Sequence, residues 1–77
     1  MRRHHDVHVF ADTSSESWKV AKGSRTLSRH RTQKTAVNAG RRRARRDQVD
    51  LVTHGRDGRV RSKDSYGNEG SSRDVER

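Results

Sequence analysis

Eight Val, two Leu, one Phe and no Ile are all the strong core formers in a 77-residue chain, 11 positions or about 14%. Combined with a formal charge of +9, that share lies below the roughly 20% under which chains cannot bury enough apolar surface to hold a fold. Composition alone therefore predicts extensive disorder. Any fold that forms must be one small domain, too short for a large enzyme with a deep substrate cleft. A domain of about 60 residues buries only about 60% of its unfolded surface even with an ordinary core. Marginal stability follows, and a homodimer or a bound partner would add the missing burial.

Hydropathy patterning contradicts the composition over residues 6–67. From Asp6 to Ala11, Val7 and Val9 alternate with His8 and Phe10, as in a half-buried strand. Asp12 to Glu16 reads as a Ser-rich turn, and Trp18 to Lys22 alternates again. Gly23-Ser24 ends that strand, and Arg25 to Arg29 adds a short third one through Leu27. Thr32 to Asp47 is a helix with Thr32 as its N-cap. Ala36, Val37, Gly40 and Ala44 share one arc of that helix, so its backbone can approach a sheet closely. Gly40 costs about 1 kcal/mol relative to Ala, and the helix needs its sheet to persist. Val49 to His54 alternates once more, and Asp57-Gly58 reads as a two-residue hairpin turn leading into Arg59 to Lys63.

The expected architecture is α+β: a small antiparallel sheet of four to five strands with one helix packed on one face, in the order β-β-(β)-α-β-β. Val7, Val9, Trp18, Val20, Val49 and Leu51 should face the helix, with Trp18 as the core anchor. Phe10, Lys19 and Ala21 then face outward, joined by Arg59, Arg61 and Lys63 if Val60 packs inward. Residues 1–5 read as a flexible basic lead and residues 68–77 as a disordered tail.

Charge is not spread evenly. Nine of the 19 basic side chains lie between Arg25 and Arg46 with no acid among them, which leaves ten basic and ten acidic residues elsewhere. All of the net charge thus sits in 22 residues, a local field that attracts polyanions. Arg dominates over Lys, favouring forked contacts to phosphate. The helix carries Arg41, Arg42, Arg45 and Arg46 as a cationic ridge able to track a phosphate backbone, and Arg59 and Arg61 form a second patch. Asn38 and Gln48 flank the ridge within reach of a base edge.

The stretch His54-Gly55-Arg56-Asp57-Gly58-Arg59-Val60-Arg61-Ser62-Lys63-Asp64-Ser65-Tyr66-Gly67 resembles the C-terminal motif of a family of small bacterial and phage proteins, domain of unknown function 2188. His8-Val9, Trp18-Lys19-Val20-Ala21-Lys22, and Thr32-Gln33 with Ala36 match its opening strand, second strand and helix start in the same order. The resemblance covers about residues 8–67 and implies the strand–helix–strand order without an established activity. Arg31 and Thr35 stand where the family often places acids, and the Arg41–Arg46 cluster is heavier than the resemblance implies.

Other chemistries are poorly supplied. With no Cys there is neither a disulfide framework nor a thiolate zinc site. His4, His5 and His8 do not have helical zinc spacing and lack a carboxylate to complete a set, so no metal or cofactor is expected. His54 near Asp57 would be an isolated acid–base pair, and Gly55 to Gly58 is too short to cradle phosphate as a P-loop. No enzyme activity is expected. No apolar run approaches the roughly 18 residues of a membrane span, and nothing after Met1 reads as a signal peptide, so the expectation is a cytoplasmic chain with no membrane partner. The sequence reading is a small basic module that binds nucleic acid (DNA or RNA) through Arg–phosphate contacts with little base specificity. The competing reading is a protein-interaction adaptor or inhibitor, phage or stress-related, docking on an acidic protein surface through its C-terminal hairpin and strand edges.

Overall fold

The computed structural model describes residues 5–66. The expected tail at 68–77, and the expected N-terminal lead apart from His5, lie outside those residues. Five strands and one helix follow one another as β1 (Val7–Asp12), β2 (Ser17–Lys22), β3 (Arg25–His30), α1 (Gln33–Asp47), β4 (Leu51–His54) and β5 (Val60–Asp64). This is the expected α+β order with the third strand present. The strands form one sheet in the spatial order β3-β2-β1-β4-β5.

One pairing corrects the expectation of an antiparallel sheet. β1 pairs with β4 in parallel, Val7 opposite Leu51, His8 opposite Val52 and Val9 opposite Thr53. Parity explains it. Two hairpins leave β3 running in the direction of β1, and α1 carries the chain back across the sheet. The next strand must then run the same way as β1, beside which it lies. The other three neighbouring pairs are antiparallel.

The helix forms where capping and small residues permit. Thr32 is extended (φ −125°), and its hydroxyl accepts from the Thr35 backbone N–H at 3.2 Å, the expected N-cap. At the other end Gln48 adopts the left-handed region (φ 56°) and donates its N–H to the carbonyls of Ala44 and Arg45. Ala36, Gly40 and Ala44 are the buried helix residues. They meet Val7, Val9, Trp18, Val20, Val49 and Leu51, the six residues expected to face the helix. A methyl group at Gly40 would sit 3.0 Å from both Leu51 Cδ1 and Val9 Cγ2, so a side chain there would hold the helix away from the sheet.

Turns fix the two outer hairpins. Gly23 (φ +62°) and Ser24 bridge β2 to β3, and the non-positive φ of Ser24 fits a type II′ turn. The β4–β5 turn is displaced by one residue from the expected Asp57-Gly58 centre. Gly58 N–H donates to the Gly55 carbonyl at 3.0 Å and Gly55 N–H to the Arg59 carbonyl at 2.8 Å, which makes Arg56-Asp57 the central pair. Gly58 (φ +88°) follows as the left-handed residue of a three-residue hairpin loop.

Candidate nucleic-acid interface

Three of the four expected helix arginines are exposed: Arg42, Arg45 and Arg46. Arg41 is half-buried at the helix edge, where its Nε donates to the Tyr66 hydroxyl at 3.2 Å and its Nη1 to Asn38 Oδ1 at 3.3 Å. Asn38 is thereby engaged with Arg41 rather than standing apart beside the ridge. Tyr66 packs on the core from the segment after β5, and Arg45 lies 5.8 Å from its ring centroid. The expected base-reading Gln48 is the helix C-cap, exposed beside Arg45 and Arg46.

Asp47 is the one carboxylate in α1. Its Oδ2 accepts from Lys22 Nζ at 2.6 Å and from Arg43 Nε at 2.8 Å, and these hydrogen bonds, Lys22 foremost, hold the carboxyl down to about 2. Arg46 reaches the other oxygen only at 3.5 Å, with 71% of its side chain exposed. The helix acid is thus taken up by Lys22 and Arg43, and Arg42 has no carboxylate partner among the described residues.

Arg59 and Arg61 do not extend the ridge. Gln33, at the start of α1, donates from Nε2 to the His54 carbonyl at 3.3 Å, and His54 pairs with Val60. The hairpin therefore sits at the helix's beginning, whereas Arg45 and Arg46 lie in its last turn, about 18 Å along the axis. Nor do they join the outer sheet face, because Val60 does not pack inward. The register shifts between Thr53 and His54, leaving Arg61 as the extra residue, and Val60 is 60% exposed. Arg61 instead lines a cleft of about 290 Å³ with Trp18, Arg31, Thr32, Gln33 and Arg56. Arg56 lies 5.8 Å from the Trp18 ring centroid. Arg59 is almost fully exposed, with a 3.9 Å contact to Asp57. Lys63, opposite Val52, is the β5 cation that reaches the outer face.

The parallel β1–β4 pairing assembles a cluster that sequence spacing does not reveal. His8 and His54, 46 positions apart, lie edge to edge with ring centroids 5.2 Å apart and an interplanar angle of 22°. Phe10 meets His54 edge-on at 6.2 Å. In the neutral pair, His54 Nδ1–H donates to the Gly58 carbonyl at 3.3 Å, so its Nε2 accepts from His8 Nδ1–H at 3.0 Å. Burial, and then the neighbouring His54, lower the His8 pKa. The expected outward residues Phe10, Lys19 and Ala21 share this face, and Lys19 Nζ lies 5.5 Å from the Phe10 centroid.

A compact α+β domain with an Arg-bearing helix on one face and an open ring-bearing sheet on the other is the class this geometry defines. No described helix is long and apolar enough to cross a membrane. A family model described as an uncharacterized protein conserved in bacteria, DUF2188, matches residues 7–66, and the chain belongs to that family. No curated protein and no solved structure matches the chain.

Proposed function

We propose that the protein binds nucleic acid through Arg–phosphate contacts along α1. The observation that carries this reading is the exposure of Arg42, Arg45 and Arg46 beside an Asp47 carboxylate already engaged by Lys22 and Arg43. Guanidinium groups spaced one, three and four apart on one helix suit successive phosphate oxygens, and such contacts position a protein without selecting bases. Arg59 and Arg61, with Arg31 and Arg56 nearby, give a second patch that a longer strand would reach.

A salt titration of binding to random-sequence DNA and RNA tests it. Each phosphate contact contributes about 0.9 to the slope of log K against log salt on duplex DNA, so replacing Arg42, Arg45 and Arg46 by Ala should lower that slope by about 2–3. Unchanged affinity and slope in a folded triple variant would remove α1 as the interface.

One observation favours the protein-interaction reading. β5 is an edge strand whose five residues are all exposed, so its outer backbone groups are open to strand addition. Under that reading, changes at Arg59, Arg61 or Tyr66 abolish capture of an acidic partner, while the helix arginines alter only its association rate.

A further inference from the structure

We propose that the helix-free sheet face is a single-strand site, in which one unpaired base stacks beside Phe10 and the His8–His54 pair. This rests on the nucleic-acid reading but uses the opposite side of the sheet from α1. A lone Phe is a poor stacking platform. The β1–β4 register sets two imidazoles beside it, His54 at 90° to the Phe10 ring, as a polar wall for a base stacked on Phe10. The three rings border an open cavity of about 370 Å³ whose other walls include Ala21, Gly23 and Arg56. Ala and Gly keep the floor low, and a planar base needs such a shallow recess rather than a deep pocket.

Charge fits the same occupant. None of the residues lining the cavity is acidic. Of the carboxylates around it, Asp12 is engaged by Arg29 at 2.9 Å and Lys19 at 3.8 Å, and Asp50 by Lys63 at 3.6 Å. Asp6, whose charge reaches His8, accepts the Asp50 backbone N–H at 3.2 Å, and Asp57 lies in the loop beside Gly55 with Arg59 at 3.9 Å. Lys19 over Phe10 is placed to meet a phosphate flanking a stacked base and is flexible enough to yield the ring face, and Arg56 borders the recess while its guanidinium rests 5.8 Å from the Trp18 centroid. The His54 tautomer also leaves His8 Nε2 as an acceptor with no protein partner among the described residues, available to an N–H on the base edge. A duplex keeps its bases paired and its backbone outermost, so it cannot use this recess.

Fluorescence anisotropy near physiological salt, about 0.15 M, with three labelled probes tests the proposal. The probes are an oligothymidylate of about ten nucleotides, an abasic strand of equal length and charge, and a duplex of that length. Base stacking predicts that oligothymidylate binds the native protein at least about fivefold more tightly than the abasic strand. Phe10→Leu keeps the apolar cover and should erase that difference while leaving abasic and duplex binding unchanged. Equal binding of oligothymidylate and abasic strand overturns the single-strand site and leaves the Arg–phosphate reading standing. Persistence of the full difference in Phe10→Leu also overturns it. Failure to bind any of the three probes removes the nucleic-acid reading itself. The comparison of probes on the native protein needs no variant to fold.

Discussion

Replacing Gly40 by Ala puts two opposed effects on one position. In an isolated helix the change gains about 1 kcal/mol, because Gly loses more backbone freedom on folding than Ala. In this fold the new methyl would lie 3.0 Å from Leu51 Cδ1 and from Val9 Cγ2, and 3.5 Å from Val7 Cγ1. Carbon atoms prefer about 3.5–4.0 Å, so two contacts must each open by about half an ångström or more. Leu51, Val9 and Val7 are all 0% exposed, and none can swing toward solvent to make room. Overpacking of such a site costs about 1–3 kcal/mol. The net expectation is a loss of about 1 kcal/mol, and for a domain this small a melting temperature lower by about 4–8 °C. Circular dichroism melts and urea titrations of native protein and Gly40→Ala measure it. A variant more stable by about 1 kcal/mol would show that propensity wins and that the close helix–sheet approach does not constrain this position.

Two further changes probe the ends of the helix. Gln48→Gly relieves a non-glycine residue of its left-handed conformation while keeping the capping N–H, and should raise stability by about 1 kcal/mol in urea titration; no gain would mean that the Gln48 side chain contributes as much as the strain costs. Asp47→Asn removes the carboxylate that Lys22 and Arg43 hold at about 2. Because that pKa lies below its ordinary 3.8, the stabilisation is complete above about pH 4 and is lost as pH falls toward 2. Asp47→Asn should therefore start less stable at neutral pH and lose less than native protein across that acid window, keeping the similar acid loss due to Asp12. Parallel stability–pH curves for the two proteins would contradict the linkage.

Local chemistry was legible in the sequence, and long-range register was not. Thr32 as N-cap depends on a side chain and an N–H three residues apart, and the helix face of Ala36, Gly40 and Ala44 depends on one period. The alternation of Val7, Val9, Trp18 and Val20 needed only that strands pleat. By contrast, the β1–β4 neighbourship depends on strand count and the direction of the crossover, which no window of residues contains. That is why His8 and His54 looked unrelated, although they hydrogen-bond in the fold. The misplacement of Arg61 has a smaller cause. One extra residue where β5 opposes Thr53 and His54 reverses the faces that simple alternation assigns, and Val60 emerges where an inward residue was expected.

The outer face also explains how so thin a core covers a five-stranded sheet. Among the described residues one helix covers one side of the sheet, yet Ala21 and Val52 on the other side are only 8% and 6% exposed. They lie across from His8 in the strand register, and Ala21 borders the cavity with Phe10 and His54. The rings thus shield small apolar residues at their edges while one side of the recess stays open. Covering the sheet and receiving a base place different demands on Phe10. Cover needs apolar volume, which Leu supplies, whereas stacking needs a planar π face, which Leu lacks. A ring cluster serving only as cover would tolerate Phe10→Leu with every probe bound as before, and that contrast separates the structural role of this face from a binding role.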